Sequence, residues 1–144
     1  MEKIQEVVFY KLEKAIKNYR QYAQKRITEK GLDITIDQWL VLKTINENDN
    51  LSQRQVADLV FKDYASVTRI IELLVKKGYL KRDLHSKDRR RFVLTITSSG
   101  EEIIEKVYHI VLKNRQHALK DITDDTINIM KSGLDSIIAN CRKK

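Results

Sequence analysis

The chain has 144 residues, 42% of them hydrophobic, with four glycines and no proline. That is enough apolar material for one domain-sized core without disulfides or metal. Twenty-eight Lys and Arg against 20 Asp and Glu leave a net charge of +8, which favours a polyanionic partner, either nucleic acid or an anionic membrane. The single cysteine, Cys141, excludes an internal disulfide framework and suits a reducing compartment, and no apolar run approaches the roughly 18 residues of a membrane span, so the expected location is cytoplasmic.

With so few breakers, long helices are expected and the glycines act as punctuation. From residue 4 to 22, Val8, Leu12, Ala15, Tyr19 and Tyr22 are spaced 4, 3, 4, 3, one seam of a long first helix that ends before Gly31. A second helix starts at Thr35, where "TIDQ" offers a capping box, and its body "WLVLKTI" is apolar enough to be buried. "LSQRQVADLVF" repeats the capping logic with Ser52 and Gln55, giving a short third helix to about Val60. The fourth, from about 63 to 77, carries an apolar stripe of Val67, Ile70, Ile71, Leu74 and Val75, which leaves Lys62, Ala65, Arg69 and Lys76 on the opposite face.

After Gly78 the period changes to two. "YLKRDLH" and "RFVLTIT" alternate as two strands of a hairpin around the charged connection 86–90. Ser98, with Glu101 three residues on, is then the expected cap of a long fifth helix whose buried side is Ile104, Val107, Val111, Ala118 and Ile122. A last helix begins near Thr123, with Ile127, Met130, Leu134, Ile137 and Cys141 on a 3, 4, 3, 4 seam suited to helix–helix packing.

Two short helices, a third with a free polar face and then a basic hairpin follow the order of a winged helix-turn-helix, whose recognition helix enters the DNA major groove. Residues 62–91 hold ten Lys/Arg against four Asp/Glu, a net of +6, which leaves only +2 for the other 114 residues. The basicity therefore belongs to this segment rather than to one long amphipathic surface of the membrane-binding kind.

The run "TRIIELLVKKGYLKR", residues 68–82, followed by "DRRRFVLTITSSG", residues 88–100, resembles the MarR family of bacterial transcriptional regulators. An Asp-x-Arg wing before a strand ending in Leu/Ile-Thr-x-x-Gly is the family pattern, and Asp88, Arg90, Ile96, Thr97 and Gly100 stand at those places. The resemblance implies a mainly α fold with a small β-hairpin wing, organised as a single domain over 1–144. Residues 33–100 would form the winged helix DNA-binding lobe, and 1–32 and 101–144 the N- and C-terminal dimerisation helices. It also implies a homodimer that binds double-stranded DNA with a palindromic operator, as a repressor relieved by a small ligand.

Arginines at a hairpin tip suit the narrow minor groove, where negative potential is concentrated. The resemblance places the inserting wing arginine at Arg90, with Asp88 holding it through a bidentate pair; Arg89 and Arg91 are assigned to phosphates. On the fourth helix Ser66, Thr68 and Arg69 are the candidates for base edges or nearby phosphates, Arg69 foremost because a guanidinium can bond guanine O6 and N7 together. Ser52 and Gln53 open the third helix, whose terminal amides suit phosphate, and Lys62 and Lys76 add nonspecific attraction. Tyr19, Tyr22, Trp39 and Tyr108 are the candidates for the family's pocket for a small aromatic ligand.

Each assignment has a plainer alternative. The wing can be read instead as a charged turn that discourages edge-to-edge pairing, the fourth helix as an ordinary wetted face, and the terminal seams as a monomeric core, each the lesser reading; for the aromatics the core is the commoner one. No phosphate loop, nucleophile elbow or paired acid/base motif points to an enzyme, and no cofactor is expected. His85, His109 and His117 are scattered, and His109 has Lys113 rather than a second ligand four residues on, which disfavours a zinc site. Cys141 reads as a small packing residue rather than the N-terminal oxidant sensor of some relatives. The alternative function is a winged-helix protein-interaction module with its basic face on an acidic partner; a third is an anionic-membrane binder.

Overall fold

The computed structural model describes residues 1–84, 87 and 92–143, in two compact units, 1–114 and 115–144. A 3-10 turn at Ile4–Glu6 is followed by α1 (Val8–Glu29), α2 (Ile36–Glu47), α3 (Gln53–Leu59) and α4 (Tyr64–Lys76). The hairpin β1 (Leu80–Leu84) and β2 (Phe92–Ile96) comes next, then α5 (Ser98–Ala118) and α6 (Asp124–Arg142). This is the mainly α fold with a two-stranded wing expected from the period changes. Asp88, Arg89, Arg90 and Arg91 lie outside the described residues.

The two capping boxes form as read. Thr35 Oγ1 accepts from Gln38 N at 3.0 Å while Gln38 Oε1 accepts from Thr35 N at 3.1 Å, and Ser52 and Gln55 make the same reciprocal pair at 3.1 and 2.9 Å. Helix α1 closes where Gly31 takes φ 73°, and α4 where Gly78 takes φ 81°, conformations open to a residue without Cβ.

In the first unit the core gathers around α2. Val41 and Leu42 of α2, Val56 of α3, Val67, Ile71 and Leu74 of α4 and Val107 of α5 are fully buried, with Trp39 beside them. The Trp39 indole N–H donates to the Ile104 carbonyl at 3.1 Å, tying α2 to α5. The strands pair antiparallel from Leu80 opposite Ile96 to Leu84 opposite Phe92, and Leu80 roots the hairpin in the core. In the second unit α6 buries no residue; Ile127 and Ile137 are half-buried, and Ile129, Met130, Leu134, Ile138 and Cys141 are exposed.

Four expectations change. The first helix does not start at Ile4: Val7 is extended (φ −66°, ψ 133°) and separates the 3-10 turn from α1. Two consecutive β-branched residues, Val7 and Val8, and the lack of a capping side chain make this a poor place to continue a helix. Val75 is exposed rather than core; at 100° per residue it lies about 80° round from Val67, at the edge of the stripe covered by α2 and α3.

The cap of α5 is Thr97, not Ser98. Gly100 N donates to Thr97 Oγ1 at 3.0 Å and Glu101 N to the Thr97 carbonyl at 2.9 Å, which puts Ser98 inside the first turn. Finally, α5 ends at Ala118, and Asp121 turns the chain at φ 64° before Ile122. Ala118 and Ile122 are consequently exposed, and the buried side of α5 is Ile103, Ile104, Val107, Val111 and Asn114.

Candidate nucleic-acid interface

Helices α3 and α4 meet through a tight turn at residues 60–62, where Phe61 adopts φ 60° and Lys62 N donates to the Ala57 carbonyl at 3.0 Å. Asp63 then caps α4: its carboxylate accepts from Ser66 N and Ser66 Oγ, both at 2.8 Å. Those two bonds, the backbone one foremost, and the nearby Arg69 charge hold the Asp63 pKa below the usual carboxylate value. Helix α4 buries Val67, Ile71 and Leu74 against the core and turns Ala65, Arg69 and Lys76 to solvent.

The polar candidates divide by what their side chains already hold. Ser52 Oγ accepts in the α3 cap and keeps its proton, and Ser66 Oγ donates to Asp63. Thr68 Oγ1 donates to the Tyr64 carbonyl at 2.9 Å. Gln53 points inward, and its Nε2 donates to Tyr64 Oη and Thr68 Oγ1, both at 3.3 Å. Arg69 and Lys76 present exposed charges.

Lys62 is committed within the fold. Its ammonium lies 3.0 Å from Asp37 Oδ2, and the same carboxylate takes the Arg20 guanidinium of α1. Burial alone would raise the Asp37 pKa, but the Lys62 hydrogen bond and the Arg20 charge outweigh it and the net shift is downward. Lys77 is likewise committed, to the Asp33 carbonyl at 2.7 Å and Gln38 Oε1 at 3.2 Å. Basicity counted along the chain therefore overstates the charge that α4 offers outward.

Below the wing, one small cluster of atoms joins hairpin to helix. The Gly78 carbonyl accepts from Thr97 Oγ1 at 2.6 Å and Ser99 Oγ at 2.9 Å, and Thr97 N donates to the Tyr79 carbonyl at 3.2 Å. Arg82 lies over Phe92, with its guanidinium carbon 4.1 Å from the ring centroid, a cation–π contact between the two strands on the side away from the Leu80–Ile96 root.

Of the four aromatic candidates, Trp39 is in the core with its N–H bonded. Tyr19 and Tyr22 are half-buried on α1, and Tyr108 is 37% exposed with Lys43 Nζ 5.5 Å from its ring centroid. Arg54 and Tyr64 are not among the residues that the sequence singles out. Arg54 falls outside the buried set of Gln53, Val56 and Ala57 on α3, and Tyr64 follows the α4 cap directly; those positions were the available signal.

A model of the MarR family matches residues 31–91, the stretch from the end of α1 to the wing. The HTH-type transcriptional regulator BilQ of Clostridioides difficile (strain CD3) is 32% identical over 108 residues, covering 75% of this chain and 72% of that protein. The chain belongs to the MarR family. The fold agrees along nearly its whole length: BpsR of Bordetella bronchiseptica matches with a TM-score of 0.86 at 20% identity, covering 95% of this chain and 96% of that one. CouR of Rhodococcus jostii RHA1 matches with a TM-score of 0.81 at 21% identity, covering 95% of each. This MarR-family chain is a transcriptional regulator of winged-helix fold, and among its described residues no helix is long and apolar enough to cross a membrane.

Proposed function

We propose that the protein is a homodimeric, sequence-specific binder of double-stranded DNA that acts as a repressor in the cytoplasm and is relieved by a small aromatic ligand. One observation carries the reading. Helix α4 is held on its buried side by α2 and α3 and presents Arg69 and Lys76 outward, with Thr68 half-buried beside them, on a helix capped at its start by Asp63. A rigidly seated, exposed helix is what major-groove recognition requires.

The domain division follows from the same reading: residues 33–100 carry the DNA lobe, and 1–32 and 101–144 the dimer. Exposed apolar residues on α1 (Val8, Phe9, Ile16) and on α6 (Ile129, Met130, Leu134, Ile138) support a second copy as their cover. Two lobes on one palindromic operator must set their recognition helices about one DNA turn apart, roughly 34–36 Å, or a multiple of it. Arg90, oriented by Asp88, is assigned to the minor groove. Arg89, Arg91 and Lys76 are assigned to phosphates, with Ser52 at the start of α3.

DNA binding by BpsR is regulated by 6-hydroxynicotinic acid, and CouR is known bound to p-coumaroyl-CoA. Both molecules carry an aromatic ring, which supports an aromatic inducer near Tyr19, Tyr22 and Tyr108. Such a ligand acts only through different affinity for two lobe spacings, so bound DNA must weaken the ligand by the same factor. A coupling of about 1–3 kcal/mol loosens DNA roughly 5- to 150-fold.

Selection of duplexes from a random pool, followed by salt titration of the enriched site, tests the function. A palindromic site with salt-dependent affinity is expected; equal binding to all duplexes rejects sequence-specific regulation. Titration of salicylate-like compounds against free and DNA-bound protein tests relief, and equal affinity in both states rejects gating by those ligands.

A further inference from the structure

Gln53 is 9% exposed, and the two hydroxyls it bonds belong to the recognition helix, Tyr64 Oη and Thr68 Oγ1. Its neighbour Arg54 is exposed and lies over the Tyr64 ring, 5.3 Å from the centroid, within cation–π range. Tyr64 itself is 47% exposed. The four residues form one unit that fastens the start of α3 to the first two turns of α4.

The bonds inside this unit decide what it can offer outside. A hydroxyl has one proton and two lone pairs. The Tyr64 oxygen accepts from Gln53 through one lone pair, so its own proton and a second lone pair remain for a group beyond the protein. Thr68 gives its proton to the Tyr64 carbonyl, so outward it has only an acceptor and its methyl group. Arg54 is restrained by the ring beneath it and retains its guanidinium donors.

We infer that Tyr64 is a base-reading hydrogen-bond donor at the start of the recognition helix, with Arg54 stacked on it as a phosphate contact and Gln53 as the residue that positions Tyr64 and Thr68. The inference rests on the DNA reading above. In the major groove, guanine O6 and N7, adenine N7 and thymine O4 accept a hydrogen bond, whereas cytosine N4 only donates. Tyr64 therefore favours a base that accepts beneath it; cytosine N4 can be met only through the second lone pair of the hydroxyl, with its proton left without a base partner.

The test uses the full-length protein, the duplex enriched from the random pool and its complete set of single-base substitutions, with affinities read by fluorescence anisotropy at several salt concentrations. Tyr64→Phe keeps the ring and the Arg54 stack and removes only the donor. It is expected to weaken the enriched site about 3- to 10-fold, to flatten the preference at one position in each half-site, and to leave the salt slope unchanged. Gln53→Leu should flatten the same position, and adding it to Tyr64→Phe should flatten it no further, which general loosening of the fold would not reproduce. Arg54→Gln should weaken every duplex and reduce the salt slope by about one.

A Tyr64→Phe protein with the wild-type melting temperature and either an unchanged base profile or uniform weakening of all duplexes overturns the inference while sparing DNA binding. A wild-type protein without preference for any duplex overturns the DNA reading and this inference together.

Discussion

Gly100 of α5 sits directly on the Tyr79 carbonyl, with no room for a Cβ between them; a methyl there would also stand 2.9 Å from Ile96 Cγ2. Close approach of backbone to backbone at this point lets Thr97 and Ser99 reach Gly78, and the wing takes its direction from that contact. Gly100→Ala should cost about 2–3 kcal/mol through overpacking, and Thr97→Val about 1 kcal/mol through the lost cap. Urea unfolding measures both; a wild-type midpoint for Gly100→Ala contradicts the close approach.

The Arg20–Asp37–Lys62 cluster links α1, α2 and the turn before α4. Since the folded-state pKa of Asp37 is lowered, its contribution to stability is complete above the unfolded value of about 3.9 and is lost as pH falls through the lower folded value. Asp37→Asn should cost roughly 0.5–1 kcal/mol at neutral pH, since the groups are half-exposed. The difference from wild type should vanish at strongly acid pH. Melting temperatures followed down to about pH 2 check the sign. The same substitution releases Lys62, and the salt slope of DNA binding should steepen by up to about one.

Trp39 is the single tryptophan, and its indole is buried and bonded to the Ile104 carbonyl. Its emission should be blue-shifted in the folded protein and move to the red on unfolding. Trp39→Phe removes the indole bond to the Ile104 carbonyl, which keeps its donor within α5, and leaves space beside the smaller ring; together these should cost about 1–3 kcal/mol. A loss of less than half a unit on that scale would mean that water or another donor replaces the indole.

Arg69, Arg89 and Arg90 should separate by kind of contact. Arg69→Ala is expected to relax preference at particular base positions by roughly 1–3 kcal/mol. Arg89→Ala should weaken all sequences alike and lower the salt slope by about one, and Arg90→Ala should mainly reduce preference for A/T-rich flanks. Unchanged operator affinity in both Arg69→Ala and Arg90→Ala would sink the proposed docking.

Leu134 lies on the exposed apolar side of α6. If that side is covered by a second copy, Leu134→Lys places an unpaired charge in the interface and should shift the dimer to monomer at micromolar concentration. Sedimentation velocity of the two proteins reads the outcome; identical dimer fractions would remove α6 from the interface.

What could be read from the chain alone was local. The boxes at Thr35 and Ser52, the change from helical to strand period after Gly78, and the glycine stops at Gly31 and Gly78 each depend on residues within about four positions of one another. Those signals carried the order of elements and the hairpin, and the motifs between Thr68 and Gly100 carried the family resemblance. Tertiary structure decided which polar groups remain available, because their partners come from distant segments. Trp39 meets Ile104 across 65 positions, Lys77 reaches Gln38 across 39, and Gln53 turns inward because Tyr64 and Thr68 arrive beside it. Periodicity shows which face of a helix is apolar; only packing shows which charges and hydroxyls on the other face are already bonded, since burying an unpaired polar group costs far more than exposing one.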